Sequence, residues 1–182
     1  ADKILVGGGL ANVFMSAEGL EVGESVVEKE SQKLAWTLMK NFKDKLVLPK
    51  DFAVFDTQNP KETAIVKERF DIGRTEKICD IGPKTILEYS KILKTAKTIC
   101  WNGPVGYFEK RPFRTGSMAL AKIVGSVSKG KAFGVAGGGE TVVAIRQAHQ
   151  FEYIDHVSTG GGAMLEYLAG NKLPGIEALI KK

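Results

Sequence analysis

The sequence is poor in the residues that build metal and redox centres. Cys79 and Cys100 are its only cysteines and His149 and His156 its only histidines, in 182 residues. The cysteines stand 21 positions apart, in KICDI and TICWN, with no CxxC spacing and no histidine beside them. That excludes a zinc ribbon and a dithiol redox motif, and two buried reduced thiols are expected, as suits a cytosolic chain. No apolar run approaches the ~18 residues of a membrane span, and no basic-then-apolar leader opens the chain, so neither a membrane partner nor secretion is expected. Basic residues interleaved with aromatics are also missing. The net charge of +5 is spread thinly, densest over Lys84 to Lys97, Lys110 to Arg114 and Lys181–Lys182. It reads first as a solvated surface, then as an anion-binding one, with no nucleic acid expected as partner.

What is present is a core. With 43% hydrophobic and 26% charged residues, the composition excludes a disordered chain and allows one domain over residues 1–182 without disulfide or metal. The chain runs from Ala1–Asp2–Lys3 straight into Ile4–Leu5–Val6, which is expected of a start inside a longer protein. Strands are predicted over Ile4 to Val6, Leu46 to Leu48, Phe52 to Phe55, Thr98 to Trp101, Ala132 to Ala136 and Ile154 to Ser158. Helices are predicted over Leu10 to Ala17, Ser25 to Phe42, Pro83 to Leu93, Gly116 to Val127, Gly139 to His149 and Gly162 to Leu168. Ser25 and Glu28 have capping-box spacing, and Gly170 and Pro174 read as stops. Asn59 to Lys77 is polar and reads as irregular or edge strand. Alternating strands and helices imply an α/β fold: a three-layer sandwich with a mostly parallel, Rossmann-like sheet covered by helices on both faces.

The candidate chemistry lies in glycine. Gly7–Gly9, Gly137–Gly139 and Gly160–Gly162 hold 9 of the 21 glycines. Each triplet follows an apolar run and precedes a helical pattern. Such a junction bares main-chain amides at a helix N-terminus and suits a phosphate. All three are expected at the carboxyl edge of the sheet, where open α/β sheets hold ligands. Two nucleotide motifs are absent. A GxGxxG fingerprint needs glycine where Asn12, Val142 and Leu165 stand, which disfavours a dinucleotide oxidoreductase. Gly125 to Lys131 imitates a phosphate loop but ends at Ala132 and enters a strand. Glu140 and Thr141 open the helix after the second triplet, a place for a carboxylate near phosphate-bound Mg²⁺ or simply for a first-turn acid. Thr159 is placed to cap the helix after the third. Trp101 to Glu109 (WNGPVGYFE) reads as a strand end and a rigid loop fit to cover a flat base.

In order along the chain, ILVGGGLANVF (4–14), LVLPKDF (46–52), DIGPKT (80–85), WNGPVGYFE (101–109), GVAGGGET (134–141), HVSTGGGAMLEYLAG (156–170) and LPGIEAL (173–179) occur. This set resembles the carboxyl-terminal, nucleotide-binding domain of the phosphoglycerate kinase family. The resemblance implies phosphoryl transfer between 1,3-bisphosphoglycerate and MgADP, giving 3-phosphoglycerate and MgATP, in a cytoplasmic, monomeric glycolytic enzyme. It implies that Gly7, Gly8, Gly9 and Gly82 border the adenine and ribose, with Pro104 and Tyr107 packed on the base, Glu109 on the ribose, and Asn102 among the nucleotide-binding residues. Gly138, Gly139, Glu140 and Thr141 are implied to hold the terminal phosphates and Mg²⁺, Glu140 being the metal ligand. Gly160, Gly161 and Gly162, with Gly138 and Gly139, are the implied catalytic amides around the phosphoryl group. The family usually has Asp where Glu140 stands and a small aliphatic residue where Tyr107 stands. Its amino-terminal domain, which binds 3-phosphoglycerate, and the first strand and helix of this domain, with a phosphate-binding Lys, are expected before Ala1. The chain alone is therefore expected to show no kinase turnover; a stand-alone, non-catalytic nucleotide-binding module is the alternative.

Overall fold

The computed structural model describes residues 1–60 and 63–180. Lys181–Lys182, and residues 61–62 of the polar stretch, lie outside the described residues. The chain divides into two compact units, residues 1–95 with 104–120 and residues 96–103 with 121–182.

The first unit opens with β1 (Ile4–Leu5), parallel to β2 (Leu46–Val47). Between them in sequence run α1 (Gly8–Ala17) and α2 (Gln32–Asn41). Ala11, Val13, Phe14 and Met15 of α1 are buried against Val6, Ala35, Phe52 and Val54. The hydroxyl of fully buried Tyr89 donates to the Val6 carbonyl at 2.5 Å and lies 2.9 Å from that of Val47, tying the two short strands together. β3 (Asp51–Asp56) is the centre of an antiparallel sheet, flanked by β4 (Ile65–Glu68) and β5 (Glu76–Ile81). β4, from the stretch read as irregular or edge strand, is the exposed edge. α3 (Pro83–Leu93) starts with proline at its first turn, where the missing N–H costs nothing.

The long helix predicted from Ser25 is shorter. A 3₁₀ turn over Lys29–Ser31 precedes α2, and no capping box forms. Ser25 Oγ instead accepts the Ile78 N–H at 2.8 Å, while the Glu24 N–H reaches the Glu76 carbonyl at 2.8 Å. The edge of β5 thus draws this segment out of helical form. β5 itself was unforeseen because Glu76 and Asp80, charged yet buried, disguise it.

α4 (Thr115–Ser128) carries the chain into the second unit, where β6 (Thr98–Asn102), β7 (Phe133–Gly137) and β8 (His156–Ser158) are all parallel, in that order. Here also lie α5 (Gly139–Gln147), α6 (Gly161–Leu168) and α7 (Pro174–Ile180). Pro174, read as a stop, starts α7 instead. β6 alternates: Ile99 and Trp101 are buried while Thr98, Cys100 and Asn102 are exposed. The expectation of two buried thiols therefore fails for Cys100 and holds for Cys79. The α/β class stands, with its strands divided among three sheets, two of them parallel. No described helix is long and apolar enough to cross a membrane.

Candidate functional site

In the second unit, adjacent parallel strands bring two glycine triplets together. Asn102, Gly137 and Ser158 are register partners at the carboxyl ends of β6, β7 and β8. β7 runs into Gly138, the N-cap of α5, and Gly160 is the N-cap of α6. Neither cap offers a side-chain hydrogen bond, so the first-turn amides of both helices have no capping side chain. The expected Thr159 cap does not form, because the chain turns into α6 one residue later, at Gly160.

The triplets differ in what each glycine is for. Gly138 has φ +89°, which a side chain rarely tolerates. A Cβ on Gly137 meets Met164 Cε at 2.3 Å, and one on Gly161 meets Asn102 Oδ1 at 2.6 Å and Gly138 Cα at 2.8 Å. The last glycines, Gly139 and Gly162, are different. A Cβ there meets nothing within 4 Å.

Thr141 is fully buried, and its Oγ1 accepts the Gly103 N–H at 2.7 Å, pinning the start of the loop after β6 to α5. Trp101 Nε1 donates to the Gly103 carbonyl at 2.7 Å and stiffens the same turn. Glu140 is exposed in the first turn of α5, with no ion pair or hydrogen bond among the described residues. No group of three or more His, Cys, Asp or Glu able to hold a metal occurs among the described residues. Glu140 is thus a lone carboxylate, a fit for an ion that arrives with most of its oxygen ligands already bound.

The first triplet belongs to the first unit and its own two-stranded sheet, so the expectation of three triplets on one sheet edge is corrected. Gly7 is the N-cap of α1, again without a side-chain cap. Its missing Cβ makes room for Val105 Cγ1, 2.6 Å from where that atom would lie. The Gly8 N–H donates to the Val105 carbonyl at 3.1 Å, with φ +58° at Gly8. Gly9, like Gly139 and Gly162, opens onto nothing within 4 Å. Gly7, Gly8 and the Pro104–Val105 turn are therefore brought together. Tyr107 is 41% exposed, with Lys77 Nζ 5.3 Å over its ring, and Glu109 is exposed. Gly82 is buried, and a Cβ there would strike the Asp51 carboxylate at 2.3 Å.

Two buried aspartates escaped the sequence reading. Asp51 caps α3 from β3, accepting the N–H groups of Thr85 at 2.8 Å and Lys84 at 2.9 Å. Asp80, at the end of β5, accepts the N–H groups of Ile81 at 2.9 Å and Gly116 at 2.7 Å. Burial pushes its carboxyl up to about 7, opposed by those two donors. Burial also raises the Cys79 thiol. For Asp80 a signal existed, two residues before the Gly82–Pro83 helix start, but the capped amides lie 33 and 34 residues from Asp51 and 36 from Asp80.

Fold and junctions define an α/β protein in which three helices, α1, α5 and α6, start at uncapped glycine turns. The chain belongs to the phosphoglycerate kinase family: the family model for phosphoglycerate kinase matches residues 1–171. It is 42% identical to the phosphoglycerate kinase of Limosilactobacillus reuteri over 183 aligned residues, covering 100% of this chain and 45% of that protein. A Chloroflexus aurantiacus phosphoglycerate kinase is 42% identical, over 98% of this chain and 45% of its own length. The structure of phosphoglycerate kinase from Coxiella burnetii superposes with TM-score 0.85 at 38% identity, covering 97% of this chain and 46% of that one. That from Pyrococcus horikoshii gives 0.80 at 32% identity, covering 98% and 45%. The chain thus spans under half the length of the curated relatives it matches.

Proposed function

We propose that residues 1–182 act as one nucleotide-binding domain, the nucleotide half of a cytoplasmic, glycolytic phosphoglycerate kinase. The reaction passes a phosphoryl group reversibly from the acyl phosphate of 1,3-bisphosphoglycerate to MgADP, yielding 3-phosphoglycerate and MgATP. One observation supports this above the rest: at Gly9, Gly139 and Gly162 an added Cβ would meet no neighbouring segment of the protein within 4 Å. A glycine in a helix costs roughly 0.5–1 kcal/mol against alanine, so three such positions at uncapped helix starts call for a ligand lying on the main chain.

The base and ribose fall to Gly7, Gly8, Gly9, Pro104, Tyr107 and Glu109, and the phosphates to Gly138, Gly139 and Glu140. Asn102 and Thr141 hold the turns that carry these amides. The amides at Gly160 to Gly162 face the transferring group. Phosphoryl transfer needs alignment and donors for charge on the phosphoryl oxygens more than covalent help, and first-turn amides supply both. Mg²⁺, entering with the nucleotide, supplies further charge neutralisation, with Glu140 as its protein carboxylate. The 3-phosphoglycerate site belongs, in the family, to the amino-terminal half, so this chain by itself turns over no substrate.

Titration calorimetry with MgADP tests the reading. Saturable binding with no turnover in a coupled assay is expected. An absence of heat at millimolar nucleotide contradicts nucleotide binding, and turnover by this chain contradicts the division of labour.

A further inference from the structure

β5 ends in a buried carboxylate that the proposed function leaves unused. Asp80 is 2% exposed, and its Oδ2 accepts the Gly116 N–H of the first turn of α4 at 2.7 Å. Two glycines make room for it. A Cβ on Gly106 or on Gly116 would stand 2.3 Å from Asp80 Oδ1. The loop after β6 and the start of α4 are therefore both shaped around this one side chain.

The same place anchors the loop. The Val105 N–H donates to Oγ of fully buried Ser117, next to Gly116, at 3.1 Å. The Tyr107 N–H donates to the carbonyl of Cys79, next to Asp80, at 2.8 Å. Beyond Val105, its carbonyl takes the Gly8 N–H at 3.1 Å. Pro104, Tyr107 and the first glycine triplet thus hang from the end of β5 and the start of α4, which Asp80 binds to each other.

We propose that Asp80 is a positioning residue for the base-binding loop: by capping α4 from β5 it sets where Pro104 to Tyr107 stand. Its effect on ligand affinity rests on the nucleotide reading above; its effect on the loop does not. A carboxylate accepts both N–H groups at once. The amide of Asp80→Asn accepts one and turns its own N–H₂ toward the other, with little change of shape.

Asp80→Asn, followed by amide hydrogen exchange and calorimetry, tests the assignment. The Val105, Tyr107 and Gly116 amides should exchange about tenfold faster, the loss expected for a hydrogen bond to a charged group, with the α5 amides of Val142 and Ile145 unchanged. MgADP affinity should fall about tenfold, while that of inorganic tripolyphosphate, which has no base, should hold. Unchanged loop exchange overturns the proposal, and so does equal acceleration in α5, which is a merely structural effect. Equal loss of both ligands, or a loosened loop with full MgADP affinity, also overturns it. If the parent chain binds no MgADP, the functional reading fails and exchange alone decides the positioning. Should Asp80→Asn not fold, Ser117→Ala, which removes the acceptor for Val105, must show the same local loosening and ligand split, or the proposal falls.

Discussion

Asn102 and Gly161 meet so closely at the carboxyl ends of β6 and β8 that a Cβ on Gly161 would lie 2.6 Å from Asn102 Oδ1. One residue on, Gly162 has nothing within 4 Å of that position. Neighbouring glycines therefore carry opposite expectations. Gly161→Ala must displace the Asn102 side chain and the Gly138 backbone at the start of α5 and should destabilise the chain by about 1–3 kcal/mol. Gly162→Ala should leave stability unchanged or raise it by about 0.5 kcal/mol, yet lower affinity for a non-hydrolysable MgATP analogue about tenfold while MgADP binds as before. Urea unfolding and calorimetry on both variants check this. A destabilised Gly162→Ala, or one that binds the MgATP analogue as the parent does, contradicts the reading.

Asp80 makes stability depend on pH in an unusual direction. Its folded carboxyl titrates near 7, above its ordinary value, so the folded chain takes up a proton before the unfolded chain as pH falls. Its contribution is complete below about pH 4 and is lost as pH rises through about 7. The size is on the order of 4 kcal/mol. Asp80→Asn removes the titration. The stability of the parent chain minus that of the variant, from urea unfolding between pH 4.5 and 8.5, should decline as pH rises. A flat or rising difference contradicts it.

Much of this was legible in the sequence where the cause is local. Pro83 starts α3 and each glycine triplet leads from a strand into a helix, because proline and glycine restrict or free the backbone by themselves. What was hidden depends on distant partners. Asp51 and Asp80 cap helices whose first turns lie 34 and 36 residues away. Ser25 was read as a local cap and instead serves Ile78, 53 residues on. Cys100 has apolar neighbours, but strand alternation puts it on the exposed face of β6. In the candidate site, the turn around Asn102 is visible as a Gly/Pro-rich loop, whereas which glycine in a triplet is structural depends on side chains far off in sequence, Met164 against Gly137 and Asn102 against Gly161.

Glu140 separates metal binding from folding. Its carboxylate has no partner among the described residues, so Glu140→Gln should change stability by no more than about 0.5 kcal/mol. If it is the protein ligand of a nucleotide-borne Mg²⁺, the variant should bind ADP equally with and without Mg²⁺, while the parent chain binds MgADP more tightly. Calorimetry in Mg²⁺ and in EDTA checks this. A variant that keeps the full Mg²⁺ preference removes Glu140 from the metal's coordination sphere.

The most direct test follows the main-chain amides themselves. In a ¹⁵N-labelled chain titrated with MgADP, the account predicts the largest shifts at the amides of Gly139, Glu140 and Gly9, with Gly162 responding to the terminal phosphate of an ATP analogue. Saturable binding that leaves those amides unmoved, with shifts gathered elsewhere, would contradict it.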